Sequence, residues 1–93
     1  MPPSDRRELA TMAGTQESML NSAVDAFKQA QMRLNAAKRA TTSSAAQAEF
    51  KAAKTAYEAA ERSMKSKHDA YTRDMKDKAL SLSDYCQGRG VSY

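Results

Sequence analysis

The chain has 93 residues and a formal net charge of +4, and 18 of its 38 hydrophobic residues are Ala, with no Ile, two Val, five Leu and two Phe. Leu, Val and Phe together make up about a tenth of the chain, against roughly a fifth or more in globular domains, which excludes a thick core. Sheets need β-branched and aromatic faces that are nearly absent here, so what remains is an all-α, Ala-rich architecture whose apolar residues recur at a helical period.

Both prolines fall in residues 1–3, a short N-terminal extension with no apolar h-region behind it. No apolar run approaches the ~20 residues of a membrane span, and a single Cys, Cys86, forms no intrachain disulfide. These features predict a soluble chain without signal peptide or transmembrane segment, in the cytoplasm or an intracellular assembly. Helix one is expected over about 4–40, with Asp5 and Glu8 in its first turn and Gly14 as a point where it can kink or split. From Thr15 to Gln87 there is neither Pro nor Gly.

Four hydroxyl residues in succession, Thr41 to Ser44, interrupt the pattern and predict a loop over 41–44. Ser44 with Gln47 has the spacing of a capping box, which starts helix two at about 44 and carries it to about 82. Two helices of similar length joined by a short polar loop predict one domain over 4–83, an antiparallel two-helix hairpin. Residues 84–93 leave the helical pattern at Gly88 and are expected to be a flexible tail, with Tyr85 and Tyr93 as candidate docking side chains.

Large side chains mark a coiled-coil seam, because Leu20, Phe27 and Leu34 repeat every seven residues, as do Phe50, Tyr57, Met64 and Tyr71. If facing positions sum to 84, Leu34 meets Phe50, Phe27 meets Tyr57, Leu20 meets Met64, Ala13 meets Tyr71 and Leu9 meets Met75. Ala23, Ala30 and Ala37 then flank the large pairs and let the helices approach closely. Helix two also has Glu58 with Arg62, Glu61 with Lys65, Asp69 with Arg73 and Asp74 with Lys78, each contributing ~0.2–0.5 kcal/mol if formed. So thin a seam is marginal alone, which predicts a protein partner or self-association.

Catalytic chemistry has little foothold: the one His, His68, and the one Cys stand in no metal-ligand or nucleophile spacing. No enzyme activity, cofactor, metal or small-molecule substrate is expected. Residues 33–54 hold Arg33, Lys38, Arg39, Lys51 and Lys54 against Glu49 alone, so the whole net charge sits at the loop end. That tip is a candidate site for phosphate, in ribosomal or other nucleic acid or on an anionic lipid surface. A second surface, a candidate partner face, combines Ala52, Ala56, Ala59, Ser63, Ser66 and Ala70 with Met12, Met19 and Ala26.

Residues Glu49 to Ala60 resemble stretches of the F-BAR coiled coils as any charged, Ala-rich coiled coil does. The turn has neither a Trp-x-Gly nor a proline-containing signature, and no family is assigned. The leading expectation is a non-enzymatic structural or adaptor subunit of a larger assembly, acting through helix packing. The alternatives are a phosphate-binding module using the basic tip, and a small inhibitor or co-chaperone clamping one protein.

Overall fold

A computed structural model describes the backbone of residues 3–39 and 42–93, and the side chains of those from Gln16 onward. Two long helices, α1 (Pro3–Lys38) and α2 (Ser44–Met75), pack antiparallel as a hairpin. A 3-10 turn over Lys76–Lys78 leads to a third helix, α3 (Leu82–Gly88). No described helix is long and apolar enough to cross a membrane.

Helix α1 runs through Gly14 without a break. One Gly costs a helix about 1 kcal/mol relative to Ala, which is too little to interrupt so long a run of hydrogen bonds. The cap of α2 lies one residue earlier than the spacing of Ser44 and Gln47 implies. Ser43 is extended (φ −125°, ψ 161°), and its Oγ accepts from the Ala46 N–H at 3.1 Å. The first helical bond then runs from the Gln47 N–H to the Ser43 carbonyl at 3.0 Å.

The seam follows the heptads. Phe27 has no exposed surface and its ring lies 5.0 Å from that of Tyr57. Leu20 and Met64 are both fully buried in one cluster, while Leu34, Ala37 and Ala53 form a second, against which Phe50 and Tyr57 pack. Small residues at Ala37 and Ala53 bring the two backbones close enough for this to occur with so few large side chains. Leu9, Met12 and Ala13 lie outside the residues whose side chains are described.

The C-terminal fifth departs from expectation. Helix α2 ends at Met75, not near 82, because Lys76 adopts φ 56°, ψ −125° and reverses the chain. That conformation suits Gly, and a Lys in it costs of order 1–3 kcal/mol, which the contacts beyond the turn must offset. Asp74 and Lys78 are thereby in different elements, and of the four anticipated i,i+4 pairs only Glu61–Lys65 closes within 4 Å among the described residues, at 3.8 Å. His68 Nε2 stands 2.9 Å from the Leu80 carbonyl, and the Tyr71 hydroxyl accepts from the Leu80 N–H at 3.5 Å, fixing the return of the chain.

The expected flexible tail is instead a docked arm. Ser81 caps α3, its Oγ accepting from the Asp84 N–H at 3.2 Å. Tyr85, Cys86 and Val91 are buried in the cluster that contains Leu20, Val24, Phe27 and Met64. A seven-residue helix does not persist alone in water, so this packing is what orders α3.

Phe27→Ala removes the ring on which α1, α2 and the arm all pack, and is expected to cost about 3–5 kcal/mol. Urea unfolding followed by circular dichroism measures the loss, and the ellipticity and the tyrosine fluorescence should shift together.

Candidate functional site

The arm divides the hairpin into two unlike faces. On one, Arg89 spans to Asp25 with its Nη2 3.1 and 3.2 Å from the two carboxylate oxygens, and the Tyr85 hydroxyl donates to Asn21 Oδ1. Gln31 Nε2 donates to the Ser92 carbonyl at 2.7 Å, and the Tyr93 hydroxyl donates to Glu61 at 2.9 Å. The Tyr93 ring meets Phe27 edge-on at 5.3 Å, and Tyr85 meets Tyr71 the same way at 5.3 Å. Tyr85 and Tyr93, expected to reach for a partner, therefore dock on this chain's own hairpin. Burial raises both phenols above their ordinary range, as it does the Cys86 thiol, whose Sγ lies 3.7 Å from Met64 Sδ.

The arm runs back from the end of α2 toward the tip and fills the interhelical groove only as far as Ser92. Beyond it the groove is open, as two adjoining hollows of about 300 and 430 Å³ that share Leu34, Lys38 and Tyr57. The nearer also touches Gln31, Asn35 and Ser92, and the farther touches Phe50, Lys54, Glu58 and Glu61. Lys38 lines both hollows near the tip and Lys54 lines the larger one on α2, and both are exposed, as are Arg39 and Lys51.

Arg33 does not belong with those cations. Its Nε and Nη2 grip Glu49 across the helices at 2.7 and 3.2 Å, a bidentate pair on the other face. The hydrogen bond lowers the Glu49 carboxyl and raises the guanidinium. Near this pair lies a shallow hollow lined by Ala36, Ala37 and Ala46.

The candidate partner face is on that same side. Met19 is 40% exposed and, with Ser18, Ser22, Ala23, Ser63 and Lys67, lines a hollow of about 370 Å³. Met19 stands two positions before Asn21, which places it about 200° around α1 from the arm. Ala52, Ala59 and Ser63 are exposed and Ala70 is half-buried. Among the described residues no group of three His, Cys, Asp or Glu is placed to hold a metal ion.

Val24 and Asn21 carry the arm and were not part of the expected seam. Val24 is four residues from Leu20, and an apolar stripe wider than a two-helix seam requires is the mark of a third packed segment. Ser81 to Asp84 has the Ser-x-x-Asp spacing that announces a helix start. Compared with known proteins, the chain matches no family model, and neither curated proteins nor solved structures give a significant match.

Because folding lowers the Glu49 carboxyl, the Arg33–Glu49 pair stabilises the hairpin fully above the ordinary carboxylate range, and that contribution is lost as the pH falls from there through the lowered folded-state value. Glu49→Gln should therefore lower the urea midpoint at neutral pH and leave it nearly unchanged in acid. The difference is small, since both side chains are about half exposed.

Proposed function

We propose that the chain is a non-enzymatic structural or adaptor subunit that works by packing other chain segments along its two long helices. The observation that carries this reading is the arm itself. The groove between α1 and α2 receives a third segment by ring packing and short polar clasps, yet is filled over only part of its length. Its one His and one Cys are taken up structurally, His68 at the Leu80 carbonyl and Cys86 in the core, which favours a scaffold over a catalyst.

The face away from the arm, around Met19, Ala52 and Ala59, is the surface for a partner helix. Charges there are few, the small side chains allow close approach, and Met19 adapts its shape to what it meets. Photo-cross-linking from Met19 and from Ala59 in cells producing the full chain tests the reading, with light scattering on the purified protein. A discrete cross-linked partner or a defined oligomer is expected from both positions. Met19→Gln should reduce the cross-link from Ala59 without changing helicity. A stable monomer with no discrete cross-link from either position would contradict the adaptor role.

A further inference from the structure

The open end of the arm's groove is built like the end the arm occupies. Where the arm lies, a ring packs on the seam at Phe27 and a main-chain carbonyl is held by the amide of Gln31. One turn farther along α1, Asn35 offers the same amide chemistry beside the same groove, and the floor continues through Leu34, Phe50 and Tyr57. The empty half is therefore continuous with an established segment-binding interface.

Its charge is ordered along its length. Lys38 lies toward the tip and Lys54 one turn on the tip side of Glu58, while Glu58 and Glu61 lie toward the arm, where Glu61 is already engaged by the Tyr93 hydroxyl and by Lys65. A uniformly anionic ligand such as a nucleic-acid strand would meet Glu58 and an apolar floor along with the two lysines. A peptide meets all three regions favourably when its apolar side chain sits between its acidic end and an uncharged stretch of main chain.

We propose that the tip half of this groove docks an extended acidic peptide segment of a partner protein. An aromatic or large aliphatic side chain lies over Leu34 and Tyr57, and carboxylates beside it pair with Lys38 and Lys54. The inference rests on the adaptor reading and names a partner chemistry for a surface separate from the Met19 face.

Panning the biotinylated full chain against a random dodecapeptide phage library tests it. Enriched clones should carry Phe, Tyr, Trp or Leu next to Asp or Glu. A fluorescein-labelled synthetic copy of the strongest clone should lose at least about tenfold in affinity to Lys38→Glu/Lys54→Glu, an exposed pair whose helicity is checked by circular dichroism. Lys67→Glu, on the opposite face, should leave binding unchanged. The proposal is overturned if no clone enriches, if the enriched clones lack acidic residues, or if the acidic peptide binds the double variant equally well. It is also overturned if oligodeoxythymidylate or phosphatidylserine vesicles bind more tightly than the peptide through the same lysines, which makes the tip a phosphate surface. Cross-links from Met19 and Ala59 that persist after any of these results keep the adaptor reading and remove only this site.

Discussion

Phe27 has no exposed surface and stands between Tyr57 of α2, at 5.0 Å, and Tyr93 of the arm, at 5.3 Å. One α1 side chain thus binds together the three segments of the molecule. A second chain of rings, His68, Tyr71 and Tyr85, joins α2 to the arm nearer the end of α2. Five of the six aromatic residues are spent in these two stacks. For a chain whose apolar residues are nearly half Ala, that concentration compensates for a seam too thin to hold two long helices alone.

The arm also decides which surfaces are available. It covers the side of α1 that bears Asn21, Asp25 and Gln31, and its polar clasps are all to exposed or half-exposed partners, so it is anchored by its buried Tyr85, Cys86 and Val91 more than by charge. Among the described residues two surfaces stay free, the face around Met19 and the groove that continues past Ser92 toward the tip. The net positive charge is not spread over the tip either. Arg33 is neutralised by Glu49 on one face, while Lys38 and Lys54 line the other.

The hairpin was legible because its information is periodic. Leu20, Phe27 and Leu34 against Phe50, Tyr57 and Met64 set a register by spacing alone, and the hydroxyl run placed the loop. The arm was not legible in the same way. Its reversal is made at Lys76 without Gly or Pro, and its contacts at Asn21, Asp25 and Glu61 are with residues that on a helix surface look like ordinary solvated positions. Gly88 and Gly90 signalled an end of helix, and that signal was correct, since α3 stops at Gly88 and Gly90 has φ 74°. Neither glycine carries information about docking. The signals that did exist were Ser81 with Asp84 as a helix start, and Val24 broadening the stripe on α1. The same limit applies to the tip, where composition counted Arg33 among the free cations and only the fold brings Glu49 across to it.

The C-terminal arm is an integral part of the core, and Cys86 reports on it directly. The thiol is the only one in the chain, it is fully buried against Met64, and burial raises its pKa. The rate at which an excess of a thiol reagent such as dithionitrobenzoate labels Cys86 measures how often the arm leaves the hairpin. If the arm is core, labelling of the native chain is slower than that of the urea-unfolded chain by at least about a hundredfold, and the protection falls with urea in step with global unfolding. Labelling of the native chain at the rate of the unfolded one would mean an independent hairpin with a loose tail.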